Sequence, residues 1–145
     1  MPNLKAHIDI DAAREHVFAL AADPSRQPQW TTFIKNIAIT SGDGKSEGTT
    51  DRTTIKIGLQ SHDLNGTWTD YRPGEVLART FTGYLQMRDR LTFTPIANGT
   101  RVQWTVSYTP PFGLLGKFMA WLVMARIFQN ELEASLENLK RAFED

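Results

Sequence analysis

The strongest constraint on this chain lies between Gly66 and Tyr108, where polar and apolar residues alternate and turn residues fix how neighbouring runs pair. Arg72-Pro73-Gly74-Glu75 has Pro and Gly at the positions a type II turn favours. That turn predicts Asp70 opposite Leu77, Trp68 opposite Arg79 and Gly66 opposite Phe81. Asn98-Gly99 is a two-residue hairpin signal, predicting Phe93 opposite Trp104, Leu91 opposite Val106 and Asp89 opposite Tyr108. A turn near Gly83-Tyr84-Leu85 joins the two hairpins and pairs Phe81 with Met87 and Arg79 with Asp89. Cross-strand partners share a face. One face is therefore expected to carry Trp68, Asp70, Leu77, Arg79, Phe81, Met87, Asp89, Leu91, Phe93, Trp104, Val106 and Tyr108. The other carries Thr67, Thr69, Thr80, Thr82, Arg88, Arg90, Thr92, Gln103, Thr105 and Ser107, and is expected to face solvent.

The flanks extend this pattern. Leu4, Ala6, Ile8 and Ile10 alternate with polar neighbours, as in a half-buried strand. Asp11 is placed to cap a helix running through Ala22, with Val17, Phe18 and Leu20 on its buried side. Pro24 and Pro28 restart the chain in a short second helix ending near Trp30. Strands resume at Lys35, with Ile37 and Ile39 in phase, and again over Thr49–Leu59, with Ile55, Ile57 and Leu59 on one face. After Pro110-Pro111-Phe112-Gly113 a long helix is expected over Leu114–Glu144. Phe118, Leu122, Ala125, Phe128, Leu132, Leu136, Leu139 and Phe143 form its stripe. Its first half, with Met119, Trp121, Val123, Met124 and Ile127, is apolar nearly all round. Such a helix is gripped deeply by a sheet, forms a homodimer surface through Trp121 and Met124, or rests transiently on a membrane.

Composition narrows the function classes. At 145 residues one domain spanning 1–145 is the expectation, and a core forms without covalent staples. Lys and Arg number 16 and Asp and Glu 16, and this balance argues against a nucleic-acid binder that neutralises many phosphates. The absence of Cys excludes disulfides, thiol catalysis and Cys-based metal sites. His7, His16 and His62 fall on separate segments without metal-ligand spacing, and the Gly-rich run 41–48 lacks the context of a phosphate loop. The N-terminus shows no secretory leader pattern, and the stretch Phe112–Phe128, broken by Lys117 and Arg126, falls short of the ~20 residues of a membrane helix. A cytoplasmic protein without stable membrane insertion is expected.

The order strand, two short helices, six strands and a long helix resembles the helix-grip fold. The chain is similar to the SRPBCC (START-like) superfamily, in particular its polyketide cyclase/dehydrase and lipid-transport-like branch. The residues that carry the likeness are Ile8-Asp9-Ile10-Asp11-Ala12 leading into Val17-Phe18, Asp23-Pro24, and Trp30 after Pro28-Gln29. Trp68-Thr69-Asp70-Tyr71-Arg72-Pro73-Gly74, Pro111-Phe112-Gly113 and Leu136-Glu137-Asn138-Leu139-Lys140 complete it. The resemblance implies an α+β fold, with a seven-stranded antiparallel sheet wrapped around the C-terminal helix and a cavity between them. Members bind lipids, sterols, polyketides, plant hormones or quinones. It supplies no shared catalytic motif and implies no cofactor.

Within the expected cavity, Asp70, Arg79 and Asp89 are the polar residues on an apolar face. Arg79 between a carboxylate and an indole suits either a ligand anchor for a carboxylate, carbonyl or phenolate, or a self-contained structural ion pair. Trp68, Phe81, Met87, Phe93, Trp104, Tyr108, Met119 and Val123 are the candidate apolar walls, with Tyr108 able to orient a polar end. The favoured function is binding of one hydrophobic or amphipathic small molecule, with carriage as its natural extension. The competing readings are a cyclase or dehydratase using Asp89 or Asp70 as proton acceptor with Arg79 steadying an enolate, and a protein-interaction module.

Overall fold

The computed structural model describes residues 3–109 and 118–144, with side chains of the final helix from Leu122 onward. Strand β1 (Asn3–Ile10) alternates strictly between exposed and buried residues. Helices α1 (Arg14–Ala21) and α2 (Gln27–Trp30) follow, then β2 (Ile34–Ser41), β3 (Thr50–Ile57), β4 (Gln60–Arg72), β5 (Val76–Gly83), β6 (Gln86–Ile96), β7 (Gly99–Thr109) and α3 (Phe118–Arg141). The strands form one antiparallel sheet in the order β1-β7-β6-β5-β4-β3-β2. Every connection between strands is a hairpin except the one from β1 through α1 and α2 to β2, which crosses from one edge of the sheet to the other.

An open sheet leaves two edges, and α3 ties them together. On one side Gln129 Nε2 donates to the Lys5 carbonyl of β1 at 2.8 Å. On the other, Asn138 Nδ2 donates to the Trp30 carbonyl at 3.2 Å and the Thr32 amide donates to Ser135 Oγ at 2.9 Å. Phe128, Leu132, Leu136 and Leu139 are buried beneath this bridge. This is the helix-grip architecture expected from the order of elements.

The hairpin registers match the sequence reading in part. The β5–β6 pairing is as predicted, with Phe81 opposite Met87 and Arg79 opposite Asp89. The β4–β5 pairing begins as predicted, with Gly66 opposite Phe81 and Trp68 opposite Arg79, but a bulge intervenes before Asp70. Asp70 then lies opposite Ala78, and Tyr71 takes the place opposite Leu77. One extra residue on a strand inverts the side-chain alternation beyond it. Asp70 therefore leaves the inner face and sits outside, 3.4 Å from both Arg72 and Arg90.

The β6–β7 register differs by two residues. Leu91 lies opposite Trp104, Asp89 opposite Val106, Met87 opposite Tyr108 and Phe93 opposite Val102. Ala97 and Asn98 form the turn, and Gly99 opens β7 opposite Ile96. The physical reason lies in β1: a Cβ on Gly99 (φ 152°) would stand 2.0 Å from the Ile10 carbonyl oxygen, so this glycine serves a close backbone approach. A slip of two preserves the face, so the inner set survives the error.

Three smaller expectations are also corrected. Asp11 does not cap α1; the N-cap is Ala13, without a side-chain hydrogen bond, and the helix ends at Ala21. Leu59 belongs to the β3–β4 turn and is 96% exposed rather than inward. Among the described side chains of α3 the predicted stripe is buried at Phe128, Leu132, Leu136 and Leu139, whereas Leu122 is 42% and Val123 55% exposed. The expected start of the last helix at Leu114 lies outside the described residues.

Candidate ligand-binding site

The concave face is built from β3 to β7, and its polar groups are bonded to one another. Arg79 on β5 is buried and grips Asp89 on β6 with two hydrogen bonds, Nε to Oδ1 at 3.1 Å and Nη2 to Oδ2 at 2.5 Å. Trp104 Nε1 on β7 donates to the same Asp89 Oδ2 at 3.1 Å. Arg79 Nη1 donates to Gln27 Oε1 at 2.7 Å, and Gln27 Nε2 donates in turn to the Ala21 carbonyl at 2.9 Å. The guanidinium carbon also stands 5.3 Å from the centre of the Phe81 ring. Burial by itself would lower the Arg79 pKa; the charge and hydrogen bonds of Asp89, with the charge of Asp51, outweigh it and hold the pKa raised. Arg79 is thus a permanent cation whose main partners are internal.

A second buried carboxylate, Asp51 on β3, lies above Gly66. Its oxygens accept from Thr53 Oγ1 at 2.7 Å and Trp68 Nε1 at 2.9 Å, both neutral donors. Among the described residues no cation lies within ion-pair distance of Asp51. A Cβ at Gly66 would meet Asp51 Oδ1 at 2.5 Å, so the missing side chain makes room for the carboxylate.

Around these groups the walls are aromatic. Phe33 stacks on Trp104 at 5.6 Å between centroids and meets Phe128 edge-on at 5.2 Å. Trp30 contacts Trp104 at 5.4 Å, and Tyr108 contacts Phe128 at 5.3 Å. A cavity of about 10 Å³, lined by Phe33, Thr53, Arg79, Phe81, Asp89 and Trp104 among others, lies at the centre. That is the space one water occupies. Two buried donors close to this aromatic cluster, Trp30 Nε1 and Tyr108 Oη, have no hydrogen-bond partner among the described residues. A larger hollow of about 540 Å³ opens to solvent between Asp11–Glu15 and the Pro95–Gly99 turn, away from all these groups.

The structure thus gathers some of the sequence-derived residues and disperses others. Arg79, Phe81, Met87, Asp89 and Trp104 line the cavity together. Trp68 and Phe93 are buried on the same face but lie toward α1, Phe93 packing edge-on against Phe18 at 5.1 Å and Trp68 stacking on Tyr71 at 5.6 Å. Tyr108 is buried against α3. Asp70 lies on the outer face and Val123 on the exposed side of α3, so neither belongs to the wall. The Met119 side chain lies outside the described residues. Sequence reasoning missed Asp51 and Gln27. Asp51 and Thr53 were legible as in phase with Ile55, whereas Gln27, in a short helix between prolines, carried no periodic signal. Among the described residues no cluster of three or more His, Asp or Glu is arranged to hold a metal ion.

The family model described as polyketide cyclase / dehydrase and lipid transport matches residues 1–144. The chain belongs to this family, within the SRPBCC (START-like) superfamily. No curated protein matches the sequence significantly. Among solved structures, a START superfamily protein from Mycobacterium smegmatis is similar at a TM-score of 0.80 and 16% identity, covering 98% of this chain and 97% of the other. TTHA0849 from Thermus thermophilus gives 0.78 and 19%, covering 97% and 95%. XoxI from Bacillus cereus gives 0.74 and 14%, covering 100% and 97%. At these identities the likeness concerns the fold, and chemistry has to be argued from the site.

Proposed function

We propose that the protein binds one hydrophobic or amphipathic small molecule, of the lipid, quinone or polyketide kind, between the concave sheet and α3. The observation that carries this reading is an aromatic wall around a buried cavity, bordered by unpartnered donors at Trp30 Nε1 and Tyr108 Oη, whose rings touch Trp104 and Phe128. Burying a polar group without a partner costs roughly 1–3 kcal/mol, and a ligand acceptor facing Tyr108 would offset it. The ligand's apolar body is desolvated against Phe33, Phe81, Met87 and Trp104, at roughly 25 cal/mol per Å² before ordering costs. Arg79 and Asp89 shape and polarise the wall through their mutual bonds rather than reaching for the ligand.

The cavity of about 10 Å³ must widen to take such a molecule, so binding is coupled to movement of its walls.

The test is a titration of the full chain with a fatty acid, a short-tailed quinone and a planar polyketide, read by intrinsic tryptophan fluorescence. A saturable one-to-one change for one class is expected, lost in Val106→Phe, because Val106 lines the cavity and the larger ring fills it. Absence of any saturable response, or an unaltered response in a folded Val106→Phe protein, overturns the proposal.

A further inference from the structure

The end of the molecule at which the β3–β4 and β5–β6 hairpins turn is unlike the rest of its surface. Leu59, at the tip of the first hairpin, is 96% exposed, and Tyr84, at the tip of the second, is 41% exposed. His62 stacks on Tyr84 at 3.6 Å between ring centres, joining the two tips. β7 finishes at this end too, since Thr109 lies opposite Gln86 beside the β5–β6 turn.

The first half of α3 reaches the same end. Gln129 bonds to Lys5, which pairs with Thr105, whereas Lys140 lies near enough to Asp9, the partner of Arg101, to act on its charge. Going backward along α3 therefore means advancing along β7, and residues 122–127 lie beyond Gln129 toward Thr109. There Leu122, Val123 and Ile127 are exposed together with Arg126. Their spacing puts all four on one side of the helix.

Charge distinguishes this end as well. The segments 56–62, 82–88 and 122–130 contain Lys56, Arg88 and Arg126, all exposed, and no Asp or Glu, although the chain has 16 acidic residues. Among the described residues none of these three cations forms an ion pair. The acidic residues that directly follow these segments are engaged within the protein: Asp63 by Arg52 at 3.1 Å and Thr54 at 2.7 Å, Asp89 by Arg79, and Glu131 by the Thr32 hydroxyl. Isolated exposed apolar residues are ordinary, but an apolar helix face flanked by apolar hairpin tips and unpaired cations is the pattern of an interfacial membrane contact.

We propose that this end docks peripherally on an anionic lipid bilayer, with Leu59, Tyr84, Leu122, Val123 and Ile127 entering the headgroup boundary and Lys56, Arg88 and Arg126 meeting lipid phosphates. Among the described residues no helix is long and apolar enough to cross a membrane, so the contact is superficial. It is independent of what occupies the cavity, so its failure would leave the ligand-binding proposal untouched.

Flotation of the full chain with vesicles tests it. The protein is expected to float with phosphatidylcholine/phosphatidylglycerol vesicles and to remain behind with pure phosphatidylcholine. Lys56→Gln and Arg126→Gln should each weaken binding about fivefold. The triple substitution Leu122→Ser, Val123→Ser and Ile127→Ser should abolish it in a protein that still unfolds cooperatively, since these side chains stand outside the buried core. Failure of the native protein to float, or flotation of the triple variant at the native level, overturns the proposal. A dimer seen by light scattering and dispersed by Ile127→Ser, without flotation, would overturn it in favour of a contact between two copies.

Discussion

Arg79 is buried on the inner face opposite Trp68 and Asp89, and Gln27, 52 positions away, accepts from its Nη1. With three hydrogen bonds to protein groups, the side chain is a buried strut. From sequence alone Arg79→Met should weaken ligand binding and leave the fold intact. The structure reverses the emphasis, because the substitution strands Asp89 without its cation. Removing one partner of a buried ion pair costs about 3–5 kcal/mol, and that loss is expected for Arg79→Met in urea unfolding. A loss below about 1 kcal/mol would show that Asp89 finds other compensation.

Among the elements, legibility followed the kind of signal available. Strand faces were readable because period two survives any even slip, and so Leu91, Phe93, Trp104 and Val106 remain inward despite the displaced β6–β7 register. The bulge before Asp70 was not readable, since the strand sequence contains no glycine or proline there to mark it. Helix α1 shows the same limit at its start. Asp11 has the chemistry of a cap but lies two residues too early, and Ala13 occupies the position instead. Ala13 has the extended backbone an N-cap needs (φ −64°, ψ 145°), so Ala13→Ser should stabilise the protein by about 0.5–2 kcal/mol. Thermal melts of the two proteins check this; an unchanged or lower melting temperature would mean that the first-turn amides are already satisfied. In α3 Leu122 is exposed although it is in phase with the buried stripe, because periodicity reports amphipathicity, not how far the partner sheet extends.

At the scale of the whole molecule, stability is bounded by titrations of both signs. The side-chain hydrogen bond from Arg101 lowers the Asp9 pKa, and that from Thr54, followed by Arg52, lowers that of Asp63. A lowered folded pKa favours the ionised native form, so these contributions are complete above the ordinary value of 3.8 and vanish as pH falls through the lowered values. Tyr71 and Tyr108 have pKa values raised, chiefly by burial, above the ordinary 10.0. Their contributions hold below that value and disappear as pH rises through the raised ones. Melting temperature should therefore fall on both limbs, and Tyr108→Phe should flatten the alkaline limb while leaving the acid limb unchanged. An alkaline limb identical in the variant would place Tyr108 in contact with solvent.

The fold, the family and the inner face set the stage for a single claim, that the aromatic wall receives a small amphipathic molecule. Native mass spectrometry of the freshly purified full chain tests that claim most directly. One noncovalent adduct of small mass is expected, released on denaturation and absent from Val106→Phe. A spectrum showing only the bare chain, together with no change in melting temperature on adding fatty acid, quinone or polyketide, would contradict it.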